Sequence, residues 1–233
     1  MSITQESIFE KNWQIYQKII ANNYMLHQEL AIESSAVMAV IAKNKAGDIL
    51  DLGCGDAKQI STQLSSIPVN SYTGIDLSKP ALTLAKENLN AVNIESNFLV
   101  GRMELLLKNN NKQYNIIYSS YAMHHLQDVD KKIFLADCFN SLSFDGALIL
   151  IDLFKNNKQS LEDFKKNYTD TLYADWNMLN QEEKEMVIDH IQEYDFPTQQ
   201  SNIIDWAIEI GFVVNKSINL DNKHGAIILN KTN

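Results

Sequence analysis

Asp48-Ile49-Leu50-Asp51-Leu52-Gly53-Cys54-Gly55-Asp56-Ala57 decides the fold. A short apolar run ends in an acid and then breaks into a glycine turn. That order describes a parallel strand feeding a ligand-binding loop at the mouth of an α/β sheet. Gly53 and Gly55 can take positive φ and carry no Cβ, so the backbone can lie against a ligand. Asp51 sets one carboxylate beside the turn and Asp56 a second. A dinucleotide loop needs G-x-G-x-x-G, whose third glycine lets helix and strand pack closely. Lys58 holds that third position here. A pyrophosphate would also meet two like charges at close range. The turn therefore favours a cationic ligand, and a nicotinamide-dependent oxidoreductase is the weaker reading.

Downstream, Tyr72-Thr73-Gly74-Ile75-Asp76-Leu77-Ser78 reads as a second buried strand ending in an acid, a place suited to accepting two ribose hydroxyls. Tyr114-Asn115-Ile116-Ile117-Tyr118-Ser119-Ser120-Tyr121-Ala122-Met123-His124-His125-Leu126 and Phe144-Asp145-Gly146-Ala147-Leu148-Ile149-Leu150-Ile151-Asp152 follow. With these motifs in order, the chain resembles the class I S-adenosylmethionine-dependent methyltransferases of the small-molecule, ubiquinone/menaquinone-methyltransferase-like type. The likeness covers about residues 47–153. It implies an α/β fold: a Rossmann-like, seven-stranded, mostly parallel sheet with helices on both faces. It also implies S-adenosyl-L-methionine as cofactor, with S-adenosyl-L-homocysteine as product.

Composition agrees with one soluble globular domain of 233 residues, 45% hydrophobic and 21% charged. The net charge of −9, with basic runs no longer than the pairs Lys131-Lys132 and Lys165-Lys166, argues against a nucleic-acid substrate. A small molecule is the expected partner; the oligomeric state is not specified. Neither an apolar leader nor a membrane-spanning run is expected, which suggests a cytoplasmic, membrane-free protein. Cys54 and Cys138 form neither a disulfide framework nor a zinc pattern, and no clustered ligand set suggests a metal.

The single domain, 1–233, divides into N-terminal helices (1–45), a cofactor-binding core (47–153), a helical cover (154–210) and closing strands (211–233). Phe9, Trp13, Tyr16 and Ile20 make an amphipathic stripe that Asn22-Asn23 ends, and a second helix is expected over 26–42. Strands are expected near 49–52, 72–76, 97–100, 115–119 and 147–153, alternating with helices from Ser78-Lys79-Pro80 to about Asn90 and over 128–141. Beyond Leu153 the alternation stops. Leu161, Phe164, Tyr168 and Leu172 mark one helix. Asn180 with Glu183 forms a capping box for another, which Asp195-Phe196-Pro197 ends. A helix over 202–210 stops at Gly211, and two strands, 212–220 and 225–230, close the chain. The N-terminal helices and the helical insert either form a lid over the strand ends or are plain structural layers.

The resemblance assigns roles residue by residue. Asp51 and the Gly53 carbonyl would hold the methionine ammonium, with Cys54 in the loop and Gly55 allowing close approach. Asp76 would take the ribose and Leu77 the adenine face. Arg102 stands where the family often has an aspartate for the adenine amine; arginine has no acceptor, so it would stack, leaving Met103 backbone groups to read the base. Ser119 and Tyr24 complete the expected cofactor contacts, and Tyr121, Tyr168 and Trp176 the expected substrate contacts. His124 and Asp152 should share one rim, where His124 serves as a general base oriented by Asp152, or else as polar lining. His125 is expected at a helix start and His190 as solvated or buried structure. Because Asn115 and Arg102 depart from the pattern, a cofactor-binding scaffold without activity is the alternative reading.

Overall fold

The computed structural model describes residues 5–43 and 46–232, with side chains from Trp13 onward. Phe9, the first member of the N-terminal stripe, falls outside the described side chains.

Five parallel pairings and a closing hairpin build the sheet. Its strands are β1 (Gly47–Leu52), β2 (Val69–Asp76), β3 (Ser96–Val100), β4 (Tyr114–Ser120), β5 (Leu142–Lys155), β6 (Thr198–Gln199), β7 (Val213–Asn219) and β8 (His224–Asn230). The order is β3-β2-β1-β4-β5-β8-β7, with the two-residue β6 beside β5. β1, β2, β3, β4 and β5 run parallel, and β8 lies antiparallel between β5 and β7. The strand order reverses between the parallel neighbours β1 and β4, so the connections that follow them leave in opposite directions. A crevice therefore opens at the C-terminal ends of these two strands.

Successive strand residues point to opposite faces, which fixes two cores. Ile49, Tyr72, Ile116 and Ile149 face one layer; Leu50, Ile75, Ile117 and Leu148 face the other. The first layer receives α1 (Gln5–Ala21), α2 (His27–Ala42), α3 (Lys58–Leu64) and α4 (Lys79–Asn90), together with α7 (Leu161–Asp175). The second receives α5 (Met103–Lys108), α6 (Asp128–Ser141) and α9 (Gln200–Ile210). β5 is covered from Gly146 to Phe154, as a central parallel strand must be.

Local chemistry accounts for most element ends. Ser78 caps α4 by accepting from the Ala81 amide at 3.2 Å, and Gly211, at φ 117°, terminates α9. α8 (Gln181–Tyr194) opens with the reciprocal capping box: Asn180 accepts from the Glu183 amide, and Glu183 accepts from the Asn180 amide, both at 2.9 Å. The helices α3 and α5 and strand β6 were not expected from sequence; each is too short to show a period. A 3₁₀ turn over Met123–His125 precedes α6, so His125 sits before the helix rather than at its start.

α1 and the insert meet over the C-terminal strand ends. Tyr24 stacks on Trp176 with ring centres 5.1 Å apart and 4° between planes, and its hydroxyl accepts from the Met178 amide at 2.8 Å. Lys18 pairs with Glu183. Among the described residues, no helix is long and apolar enough to cross a membrane.

The capping box gives a direct check on the insert. Asn180→Ala should lower unfolding stability by about 1 kcal/mol, typical for loss of an N-cap. Urea denaturation measures it, and an unchanged midpoint would show that the start of α8 is not held by this side chain.

Candidate active site

The crevice is a cavity of about 210 Å³ with three kinds of wall. The floor is the glycine turn after β1, the acidic end of β2 and the loop after β3. The roof is aromatic and comes from the N-terminal helix and the insert: Trp13, Tyr16, Tyr168 and Trp176. The far end is polar, with His124, His125, His190 and Asp195. A smaller recess of about 50 Å³ continues from the turn past Asp51, Cys54 and His27.

The floor is built from backbone. Gly53 has φ 77° and Gly55 φ 53°. A Cβ on Gly53 would lie 2.4 Å from the Ala122 Cβ, and one on Gly55 would lie 2.7 Å from the Trp13 ring. Both positions therefore demand glycine for conformation and for space. The amides of Gly53 and Cys54 donate to the Ile75 carbonyl at 2.8 and 3.0 Å. Asp76 accepts from the Gly55 amide on one oxygen and from the Ser78 amide on the other, both at 2.8 Å. Burial raises its pKa, while these amides pull the other way.

Asp51 is 2% exposed, and its carboxylate accepts the Tyr72 hydroxyl at 2.6 Å. Burial is the main reason its pKa rises to about 7, and nearby Asp76 adds to it. Desolvated acids of this kind gain most from a positively charged neighbour. Beside it, Trp13 Nε1 and both His27 ring nitrogens are buried without a hydrogen-bond partner. The recess thus holds polar atoms that a polar ligand would satisfy.

The third strand end differs from what the sequence suggests. Arg102 lines the cavity with its side chain 56% exposed, and its Nε pairs with Glu104 Oε1 at 2.5 Å. Glu104 lines the cavity with Gly101 and Met103. An acceptor carboxylate is therefore present two residues beyond the position where sequence reasoning sought it. Glu104 was missed because a short helix start, unreadable from its sequence, turns it inward.

At the polar end, Asp152 is tied to the turn after β4. Its Oδ2 accepts the His124 amide at 2.9 Å, its Oδ1 accepts the Leu153 amide at 2.8 Å, and Oδ1 lies 2.5 Å from His124 Nδ1. His124 Nε2 then faces Asp195 Oδ1 at 3.5 Å. Asp195, the C-cap of α8, is held there because the next amide, Phe196, donates to the His124 carbonyl at 2.8 Å. Burial lowers the His124 pKa, yet the Asp152 and Asp195 carboxylates outweigh it and the net change is upward. Burial raises Asp195, but His124 and His125 outweigh it and hold it below the carboxylate range. Burial drives His190 down to about 4, so its ring is neutral. The sequence marks His190 as solvated or buried structure and Asp195 as part of the segment that ends α8; the fold brings both to the site.

Several expected contacts sit elsewhere. The Ser119 hydroxyl donates to the Leu52 carbonyl at 3.0 Å and does not line the cavity. Tyr24 braces Trp176 from outside the cavity wall. Cys54 is in the small recess, with burial pushing its thiol well up. Tyr121, Tyr168 and Trp176 do line the cavity; the Tyr121 hydroxyl donates to the Met25 carbonyl, and the Tyr168 hydroxyl lies 2.9 Å from His224 Nε2. Trp13 and Tyr16, which periodicity alone marks as core, form part of the roof.

Comparison with known proteins agrees with this geometry. Residues 49–146 match a family described as a methyltransferase domain. An uncharacterized protein from Haemophilus influenzae is 26% identical over 148 residues, covering 61% of this chain and 56% of that protein. An uncharacterized methyltransferase from Anoxybacillus flavithermus is 26% identical over 157 residues, covering 66% of this chain and 70% of that one. The chain thus spans little more than half the length of the first of these relatives. The structure of the plantazolicin methyltransferase BpumL in complex with S-adenosylhomocysteine superimposes with a TM-score of 0.63 at 16% identity, over 93% of this chain and 88% of that one. Residues 49–146 thus match a methyltransferase domain, and the sheet has the α/β Rossmann-like fold of S-adenosylmethionine-dependent methyltransferases. The side chains fit that cofactor: the turn is a cradle that any Cβ would fill, Asp76 stands at its rim, and a buried acid lies behind it.

Asp51 gives a pH test. Its folded pKa of about 7 lies above the ordinary 3.8, so folding takes up a proton between those values. Its contribution to stability is full below the lower value and is lost as pH rises through the upper one. Asp51→Asn should therefore flatten the fall in unfolding free energy between pH 5 and 8. Equal slopes in both proteins would mean that Asp51 ionises normally.

Proposed function

We propose that the whole chain transfers a methyl group from S-adenosylmethionine to an oxygen or nitrogen of a small metabolite, as its small-molecule-type motifs suggest. The cavity carries the reading: a cofactor floor and a buried histidine–carboxylate end face each other under one aromatic roof. The cofactor would supply an electrophilic methyl on a sulfonium, held by the Gly53–Gly55 turn, Asp51 and Asp76 and facing the acceptor end of the cavity.

The protein's part is alignment and exclusion of water. Pre-positioning two reactants can supply about 7–11 kcal/mol of the barrier. The Gly53–Gly55 turn and Asp76 would fix the cofactor, with Asp51 drawing its ammonium and Glu104 reading the adenine amine. Tyr168 and Trp176, roofing the space between the two ends, would press the acceptor toward the methyl. His124, its ring fixed by Asp152, would activate the acceptor, which must lose a proton as it is methylated. Local opening between α1 and α8 would admit both ligands.

Two measurements test this. S-Adenosylhomocysteine at a hundredfold excess over Kd should stabilise the folded chain by about 2.7 kcal/mol. Absence of any thermal shift at millimolar ligand would remove the cofactor assignment. With the acceptor in hand, His124→Ala should lower kcat by about 10²–10⁴-fold, the usual range for acid–base assistance, with unchanged S-adenosylhomocysteine affinity. Undiminished turnover would remove His124 from the chemistry.

A further inference from the structure

Three imidazoles and one carboxylate converge at the polar end of the cavity. Asp195 Oδ1 lies 3.5 Å from His124 Nε2, 3.3 Å from His125 Nδ1 and 3.5 Å from His190 Nε2. One ligand atom from each of His124, His125 and Asp195 lies within 4.8 Å of the others. Asp195 Oδ1 is buried without a well-formed hydrogen bond, and His125 Nδ1 also lies 3.3 Å from the Tyr194 carbonyl. Nitrogens gathered around an oxygen at these distances, without satisfying it, are the expected spacing of ligands that share an ion. A tetrahedral centre with bonds of about 2.0–2.1 Å sets its ligand atoms about 3.3–3.4 Å apart.

We infer that His124, His125 and Asp195, with His190 beside Asp195, form a binding site for a divalent transition-metal ion at the acceptor end of the cavity.

The surroundings have the features such a site needs. His124 presents Nε2 because Nδ1 is held by Asp152, the carboxylate–histidine–metal relay that fixes ring and tautomer. Asp152 and Asp195 are both at most 2% exposed, and two buried carboxylates call for compensating charge. Lys131, the buried ammonium nearby, is committed to the Phe196 carbonyl, to Thr198 Oγ1 at 2.8 Å and to Asp128 at 3.4 Å. Lys165 donates to the Gln192 carbonyl at 2.6 Å. A divalent ion neutralises Asp152 and Asp195 together. Imidazole-rich ligation with one carboxylate selects zinc, iron or nickel rather than magnesium or calcium.

The site deepens the proposed function and rests on it in one respect, the presence of the acceptor at this end. A metal there lowers the pKa of a coordinated hydroxyl, as it does for water. The hydroxyl proton passes to solvent, and the oxygen keeps the lone pair that attacks the methyl carbon. His124 then acts as ligand, and the favoured acceptors carry a hydroxyl beside a second donor atom, able to chelate. Sequence hid the site because its ligands come from the turn after β4 and from the end of α8, which only the fold joins.

The chain, dialysed against chelator and titrated with Co²⁺, tests the inference without any methyl donor. One equivalent should bind with the intense visible bands of a tetrahedral ion, and Zn²⁺ should displace it. Asp195→Asn and His125→Ala should each reduce uptake to under a tenth of an equivalent, and Asp152→Asn should weaken affinity about 10–100-fold. S-Adenosylhomocysteine thermal shift reports folding of each variant and tests the cofactor reading separately. X-ray absorption on the cobalt-loaded wild-type chain needs no variant: a four-coordinate shell with imidazole scattering supports the site. Failure to bind one equivalent, uptake unchanged in folded variants, or an all-oxygen shell overturns it.

Discussion

The Asp76 carboxylate bridges two backbone turns, and the rest of the site depends on that bridge. One oxygen holds the Gly55 amide after β1 and the other the Ser78 amide after β2. The two loops cannot move apart without leaving the half-buried Asp76 carboxyl short of both amides, a costly loss. With that clamp in place, the glycine turn presents its bare face to the crevice. The strand-order switch beside β1 then supplies the space above it.

A second clamp acts at the opposite end. Asp152 takes the His124 amide and ring together, and the Phe196 amide returns to the His124 carbonyl. The insert is thereby sewn to the turn after β4 by main-chain bonds, and Asp195 is carried to the histidines. Between the clamps lies a largely apolar space under aromatic rings, where charge interactions are stronger than in water. Floor, roof and polar end thus come from widely separated parts of the chain, and each has a specific tie to its neighbour.

Much of this was legible before the fold was known. The acid-glycine turn, the acidic end of β2, the capping box at Asn180 and the stop at Gly211 each rest on chemistry within a few residues, so their sequence suffices. Short elements such as α5 were not legible, and with α5 went Glu104: six residues hold too little periodicity to name a face. Ser119 and Tyr24 carry suitable groups but spend them on Leu52 and Met178. No spacing rule could reveal that commitment.

By itself, the sequence determined the parallel α/β sheet and the acid-glycine turn after β1, because strand periodicity and positive φ are local properties of the chain. The tertiary structure alone decided which histidines meet, that Glu104 joins Arg102 at the cavity wall, and that Trp13 and Tyr16 roof the cavity. Those outcomes depend on where α1 and α8 dock over the strand ends. Docking is settled by packing between segments more than a hundred residues apart, and nothing within either segment encodes it.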